Sequence, residues 1–279
     1  MKSLYDDVSA QCSKLITTRY STSFSLGIRT LHRSLHRDIY AIYGFVRLAD
    51  EIVDSFHGYD RAGMAAKFRA DALQAITDGI SINPVLHSFQ ETVRRYGIDL
   101  NLIDTFLKSM EMDLVRTEHT AETFEQYVLG SAEVVGLMCL TVFVGGDRPL
   151  YNCLEPYAMK LGAAFQKVNF LRDIQADFSI LGRTYFPGVD FSRFSEREKL
   201  AIELDIANDF REALHGIRML PATSKGGVFL AYFYYLKLFR KIQKTRSEHL
   251  ITSRIRVSNP SKLWFMFEAL FRVRCNLLS

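Results

Sequence analysis

Apolar residues recur every three or four positions along most of the chain, which is the spacing of one face of an α-helix. This pattern predicts helices over 34–56, 61–79, 83–98, 101–116, 123–144, 151–180, 195–220, 226–251 and 260–276. We expect a stop at Gly79, a break near Pro156, and a capping box formed by Ser195 and Glu198. The chain shows neither long period-two alternation nor a linker rich in Pro, Gly or Ser, so the simplest architecture is one all-α domain over 1–279.

The composition is that of an ordinary globular protein, with 48% hydrophobic and 24% charged residues. A net charge of +4 is too small to argue for a nucleic-acid partner. The opening segment MKSLYDDVSA lacks the apolar core of a signal peptide, and no two cysteines have metal-ligand spacing. We therefore predict reduced thiols and a cytoplasmic protein. The longest apolar run, 134–144, is too short to cross a bilayer, so any membrane contact is expected to be peripheral.

Two stretches place a pair of carboxylates on one face of an otherwise apolar helix. In the first, YGFVRLADEIVDSF, the shared face carries Tyr43, Arg47, Asp50 and Asp54. In the second, FQKVNFLRDIQAD, Arg172 lies beside a face that carries Gln166, Asn169, Asp173 and Asp177. Like charges four residues apart repel on a helix, so these acidic stripes need an explanation.

A single aspartate pair of this kind is typical of a solvated surface. Two pairs, each beside an arginine and each in an apolar helix, favour a different interpretation, because buried carboxylates need partners or metals. Carboxylate and amide oxygens suit Mg²⁺, and the neighbouring arginines suit phosphate. The pattern therefore predicts a helical cavity that holds a Mg²⁺–diphosphate cluster, with Phe, Leu and Met walls that hold a long hydrocarbon.

Six segments resemble the squalene/phytoene synthase family and occur in the family's order. DEIVD at 50–54 and NFLRDIQAD at 169–177 are similar to its two aspartate-rich motifs. YSTSFSLGI at 20–28 resembles its HSKSF-type segment, and YVLGSAEVVGLMC at 127–139 resembles its YxYxVAGxVG segment. GRTYFP at 182–187 and the basic SRIRVSNPSKL at 253–263 resemble two further signatures, so the likeness covers nearly the whole chain.

The resemblance implies an all-α class I isoprenoid synthase fold with a central cavity between antiparallel helices. It implies a prenyltransferase that condenses two prenyl diphosphates head to head through a cyclopropyl diphosphate intermediate. Arg47 and the four aspartates of the stripes would be catalytic. Mg²⁺, with Mn²⁺ as a substitute, would be held by Asp50, Asp54, Asn169, Asp173 and Asp177. The substrate contacts would come from Tyr20, Ser21, Thr22, Ser23, Tyr43, Arg47, Gln166, Asn169, Arg172 and Tyr185.

The chain departs from the family pattern at Tyr20, Thr22 and Leu129. Tyr20 and Thr22 stand where many members have His and Lys, which weakens the cationic contribution of that segment. The second tyrosine of the YxY pattern, usually assigned a role near the second cation, is Leu129. On a regular helix Tyr127 points to a different face, so we do not transfer the role to it.

The short chain, without an anchor or an expected need for NADPH, favours phytoene synthase, which uses two geranylgeranyl diphosphates in carotenoid biosynthesis. Its apolar product makes a peripheral membrane contact for product release a reasonable expectation. A C30 dehydrosqualene or hydroxysqualene synthase that uses farnesyl diphosphate is the first alternative. A non-catalytic helical assembly factor of the same fold is the second. A terpene cyclase or head-to-tail prenyltransferase is a third, although those usually begin with DDxxD rather than the DEIVD found here.

Overall fold

The protein is described by a computed structural model that covers 2–115, 118–179 and 182–255, together with Phe265, Glu268, Ala269, Arg272 and Val273. These residues form helices α1 Lys2–Tyr20, α2 Thr22–Thr30, α3 Arg33–Asp54, α4 Arg61–Asp78, α5 Pro84–Tyr96, α6 Leu100–Val115, α7 Ala121–Val128, α8 Val134–Phe143, α9 Arg148–Ser179, α10 Glu196–Met219, α11 Ala222–Gln243 and α12 Ser247–Thr252. A π-helical turn, Leu129–Glu133, joins α7 to α8. The described part contains no β-sheet, so the predicted all-α class is confirmed.

Several helix ends are set by local side chains, as the sequence predicts. Ser195 accepts a hydrogen bond from the backbone N–H of Glu198, and the Glu198 side chain accepts one from the backbone N–H of Ser195. This capping box satisfies two N–H groups at the start of α10. Gly79 ends α4 with φ = 72°, a left-handed conformation that glycine adopts without a Cβ clash.

The predicted break near Pro156 is wrong, because α9 continues through this residue as one helix of 32 residues. Proline removes the hydrogen bond to the carbonyl four residues earlier, which belongs to Asn152. Both Pro156 and Asn152 are exposed, so water can satisfy the freed carbonyl and the helix continues.

Other helix boundaries also differ from the prediction. The predicted 226–251 helix is divided into α11 and α12 by a turn at 244–246, where the backbone N–H of Thr245 bonds to Ile242 instead of continuing the helix. Helices α1 and α2 were not predicted. The predicted helix 260–276 lies almost entirely outside the described residues, and the one-domain prediction for 1–279 stays a prediction.

Two hydrophobic clusters form the interior and share one helix. The first cluster gathers side chains of α3–α6 around Phe45 and Phe89, whose rings stack with centroids 3.9 Å apart. The second gathers side chains of α9, α10 and α11, including the fully buried Phe229. Helix α8 contributes Met138 to the first cluster and Leu140 to the second, so it forms a wall between them.

The run 121–143 is the one part of the described chain whose length and composition would allow it to cross a membrane. Half of the residues in its most apolar stretch are buried inside the protein. Its residues pack against α6 and α9 and supply both hydrophobic clusters, which accounts for its apolar character.

Candidate active site

A cavity of about 910 Å³ lies between the two hydrophobic clusters. Every site residue predicted from the sequence lines it, although the individual roles stay predictions. These residues are Tyr20, Ser21, Thr22, Ser23, Tyr43, Arg47, Asp50, Asp54, Gln166, Asn169, Arg172, Asp173, Asp177 and Tyr185. The cavity therefore brings together α3, α9, the α1–α2 junction and the loop after α9.

The first acidic stripe is held by an arginine of its own helix. Arg47 donates hydrogen bonds to the carboxylates of Asp50 and Glu51, one turn further along α3. Its guanidinium also lies over the ring of Tyr20, 4.4 Å from the centroid. These contacts fix a cationic group at the polar end of the cavity, beside the residues proposed to bind metal.

The second stripe is held by two arginines, one adjacent to Asp173 in sequence and one distant from it. Arg172 contacts Asp173 through two of its nitrogens, at 3.0 and 2.5 Å. Arg254, which follows α12, places its Nε 2.6 Å from the same carboxylate. Arg254 lies in the predicted basic C-terminal signature, whose residues from 256 onward are outside the described part of the chain.

The loop after α9 connects the two stripes. The backbone N–H of Arg183 donates to the carbonyl of Asp177 at 2.8 Å, which turns the chain back toward the cavity. The Arg183 guanidinium then donates to Asp54 at 3.1 Å and to the backbone carbonyl of Asp113 at 3.0 Å. One buried cation therefore links the second stripe's helix to the first stripe.

Burial, together with neighbouring negative charge, raises the pKa of three carboxyl groups at this site. Burial, followed by the charge of Asp54, raises the pKa of Asp50 to about 7. Burial, followed by the charge of Asp173, raises the pKa of Asp177 to about 7. Burial also raises the pKa of Asp113 to about 7, although its hydrogen bond from Tyr127 opposes the change. The nearby arginines do not fully compensate this concentration of carboxylates.

Such a donor set fits a divalent cation. The carboxylates of the two stripes and the amide oxygen of Asn169 line one cavity, and hard oxygen ligands are those that Mg²⁺ prefers. A bound cation would stabilise the ionised carboxylates that burial and mutual repulsion disfavour. The residues present therefore fit the predicted metal, which the raised pKa values support independently of sequence spacing.

The α1–α2 junction supplies groups suited to a phosphate. Ser21 caps α2 and accepts the backbone N–H of Phe24 at 3.2 Å. The N–H groups in the first turn of a helix create a positive end that attracts anions, and this turn lies on the cavity wall. Tyr43 faces Ser21 from α3, and burial raises the pKa of its phenol to about 12, so it acts as a neutral hydrogen-bonding group.

Sequence reasoning missed a polar cluster on the same wall. The Tyr127 hydroxyl donates to the buried carboxylate of Asp113 at 2.6 Å, and both residues line the cavity. The ring of Tyr127 stacks on that of Tyr185, with centroids 5.3 Å apart. Leu129 is absent from the described cavity lining and packs against the first cluster.

The two positions of the tyrosine pattern point to different faces, as expected from a regular helix. The π turn begins at Leu129, so it changes the helical phase after the pattern and not between its two positions. Tyr127 lines the cavity at a different place from the one that the second tyrosine of the pattern would occupy. The signal that could have identified Asp113 as a cavity residue is its position in the apolar predicted helix 101–116.

The rest of the cavity is mostly apolar and is bordered by closely packed helices. Ile28, Leu31, Phe143, Leu154 and Leu161 are among its lining side chains. A Cβ at Gly216 would lie 2.3 Å from the Cβ of Tyr157, so only glycine allows α10 to approach α9 this closely. The site thus joins a charged end to a long hydrocarbon-like interior.

The squalene/phytoene synthase family model matches residues 17–261 of the chain. The 15-cis-phytoene synthase of Synechocystis sp. is 26% identical, over 93% of this chain and 83% of that protein. The phytoene synthase of Arthrospira platensis is 28% identical, over 74% of this chain and 70% of that protein. A crystal structure of a dehydrosqualene synthase in complex with ligand superposes with a TM-score of 0.83 at 21% identity, covering 98% of this chain and 99% of that chain. This likeness shows the class I isoprenoid synthase fold.

Proposed function

Since the chain belongs to the squalene/phytoene synthase family and is a prenyltransferase, we propose that it condenses two geranylgeranyl diphosphates head to head to give phytoene. The observation that carries this proposal is that both acidic stripes and a large set of apolar side chains line the same cavity. A diphosphate suits the first part and a prenyl chain suits the second. The phytoene synthases among its relatives support the C20 substrate.

Charge separation is the main barrier in such a reaction, so the polar end of the cavity does most of the catalytic work. Asp50, Asp54, Asn169, Asp173 and Asp177 would hold Mg²⁺. When bound, Mg²⁺ would neutralise the diphosphate and make it a better leaving group. Arg47 and Arg172 border this region and would bind the diphosphate oxygens.

The reaction then proceeds in the apolar part. The C1–O bond of the first substrate breaks, and the diphosphate leaves with the electron pair. The allylic cation alkylates the double bond of the second substrate, and loss of a proton closes the cyclopropyl ring. Departure of the second diphosphate, rearrangement and loss of another proton give the linear product. Exclusion of water by the aromatic and aliphatic walls protects both cations.

The cavity volume supports a large substrate. About 910 Å³ is near the upper end of the range of about 300–1,000 Å³ for small-molecule sites. Each additional buried methylene stabilises binding by about 0.8 kcal/mol where the wall accommodates it. A tail longer than the apolar part of the cavity is rejected, because overpacking is costly.

A competition assay tests the substrate. The protein is incubated with geranylgeranyl and farnesyl diphosphates and Mg²⁺, without NADPH, and the products are identified by mass spectrometry. We expect a C40 hydrocarbon and pyrophosphate release that stops when Mg²⁺ is chelated. A dominant C30 product would overturn the phytoene proposal and favour the dehydrosqualene or hydroxysqualene alternative. Absence of pyrophosphate release with either substrate would favour the assembly factor.

The proposed location is the cytoplasm, with peripheral membrane contact through which the apolar product leaves. Flotation with liposomes tests this contact, since a peripherally bound protein should rise with the vesicles and be released by high salt or carbonate. Recovery of all the protein in the unbound fraction would contradict it.

A further inference from the structure

Four side-chain hydrogen bonds form a continuous chain along the cavity wall. The Tyr235 hydroxyl donates to Asn169 Oδ1 at 3.2 Å, and Asn169 Nδ2 donates to Gln166 Oε1 at 3.5 Å. Gln166 Nε2 donates to Ser131 Oγ at 3.2 Å, and the Ser131 hydroxyl donates to the backbone carbonyl of Tyr127 at 2.7 Å. The chain therefore runs from α11 through α9 to the π turn before α8.

Ser131 determines the direction of this chain. Its single proton is committed to the Tyr127 carbonyl, so toward Gln166 its oxygen acts only as an acceptor. Gln166 must then turn its NH₂ group to Ser131 and its carbonyl oxygen to Asn169. Asn169 must in turn direct its NH₂ group to Gln166 and its oxygen away from it.

The direction matters because Asn169 lies one turn before Asp173 on the same cavity-lining face of α9. Its Oδ1 accepts one hydrogen bond, from Tyr235, and a carbonyl oxygen has a second lone pair available for a cation. With the amide reversed, an NH₂ group would occupy this position, and a hydrogen-bond donor cannot bind a metal ion.

We propose that Ser131 is a positioning residue that fixes the Gln166 and Asn169 amides so that Asn169 offers an oxygen to a divalent cation. This inference rests on the proposed function, in which Asn169 is a metal ligand. The family segment quoted above has Val at this place, so the device belongs to this sequence and not to the family pattern.

The matched pair Ser131→Thr and Ser131→Val isolates the hydroxyl, because Thr and Val have nearly the same shape. The measurement is Mn²⁺ binding in the presence of inorganic pyrophosphate, followed by electron paramagnetic resonance. Loss of a group that orients a metal ligand typically weakens affinity by about 10–100-fold. We expect about tenfold weaker binding for Ser131→Val and a change within about twofold for Ser131→Thr, where the orienting hydroxyl is retained.

Thr141→Val supplies the structural control. Thr141 also donates to a carbonyl four residues earlier in the same helical run, Leu137 at 3.0 Å, but it is not among the described cavity-lining residues. We expect it to leave Mn²⁺ affinity unchanged. In turnover assays, Ser131→Val should shift the Mg²⁺ concentration for half-maximal rate by the same factor as the Mn²⁺ affinity, with a smaller change in rate at saturating Mg²⁺.

Equal Mn²⁺ affinity for the unaltered protein and Ser131→Val would overturn the inference and leave the proposed function intact. An equal loss in Thr141→Val would overturn it too, because the effect would then be a general disturbance of the helix. Failure of the unaltered protein to bind Mn²⁺ with pyrophosphate would overturn the metal-dependent function and the inference together.

Discussion

Arginine side chains form ion pairs with the carboxylates of Asp50 and Asp173. These two aspartates therefore have a structural contact in addition to their proposed catalytic role. Arg47 binds Asp50, while Arg172 and Arg254 bind Asp173 from two sides. An incoming cation and diphosphate would exchange partners within this group: the carboxylates turn to the metal and the arginines turn to phosphate oxygens.

Asp50→Ala and Asp173→Ala should each lower turnover by at least about hundredfold, the scale on which single charge-stabilising groups act in active sites. We expect little loss of thermal stability, since each variant removes one charge from a crowded acidic group. Asp71→Ala is the matched control, because Asp71 pairs with Lys67 on the exposed face of α4. Near-normal turnover of either site variant at saturating Mg²⁺ would contradict the two-stripe mechanism.

Tyr127→Phe should slow turnover by about tenfold or more and change the ratio of cyclopropyl intermediate to final product. A hydrogen bond to a charged group contributes about 1.5–3 kcal/mol, and its loss leaves Asp113 without that donor. Tyr96→Phe is the control, because Tyr96 donates to the buried Asp38 at 3.1 Å, away from the described cavity wall. Product analysis by mass spectrometry compares the two variants. An equal loss of activity in Tyr127→Phe and Tyr96→Phe would point to general destabilisation instead.

At the scale of elements, the junction between the π turn and α9 depends on a glycine. A Cβ at Gly162 would lie 2.8 Å from the carbonyl oxygen of Ala132 and 2.9 Å from the Cα of Glu133. Both neighbours are backbone atoms of the π turn, which cannot move aside without shifting the helix that carries Ser131.

Gly162→Ala should therefore lower the free energy of unfolding by about 1–3 kcal/mol, the usual cost of overpacking. Gly226→Ala is the control, since its Cβ would meet nothing closer than Thr30 O at 3.7 Å. In a helix that change should be neutral or stabilising by about 0.4–1 kcal/mol. Urea denaturation of both variants checks the difference, and equal midpoints would show that the junction relaxes freely.

Helical spacing was sufficient to predict the parts of the site that lie on regular helices. Asp50 and Asp54 on α3, like Asp173 and Asp177 on α9, share a face because these segments keep 3.6 residues per turn. It did not predict the π turn, which changes the helical phase after Leu129. It also missed Arg183 and Arg254, because their carboxylate partners Asp54 and Asp173 lie 129 and 81 positions away and leave no local pattern.

At the scale of the whole molecule, the carboxylates with raised pKa values make the stability of the metal-free protein depend on pH. Asp50, Asp113 and Asp177 have folded-state pKa values of about 7, above the ordinary value of 3.8. The folded state therefore binds more protons than the unfolded state between these values, and its stability falls as the pH rises from about 4 to about 7.

We expect the melting temperature of the metal-free protein to decrease between pH 5 and pH 8, and to decrease less in Asp177→Asn. Comparison with the unaltered protein cancels the titration of groups elsewhere. Mg²⁺ with pyrophosphate should reduce the decrease, because a bound cation favours the ionised carboxylates. A larger fall in Asp177→Asn than in the unaltered protein, measured by calorimetry, would reverse the sign and contradict the pKa assignment.

Because α9 is continuous, the distance between the cavity-lining residues at its two ends is set by one helix. One face of this helix follows the cavity from the charged end to the apolar end, through Asp177, Asp173, Asn169, Gln166, Phe165, Gly162, Leu161, Ala158, Tyr157 and Leu154. At 1.5 Å per residue this face extends for about 34 Å along one axis. In the proposed function, the groups that bind the diphosphate and the side chains that contact the prenyl tail therefore lie on one continuous helix, and their separation along it is set by the helical rise. A redesign for shorter or longer prenyl substrates would therefore have to change the size of the side chains on the cavity-lining face of α9.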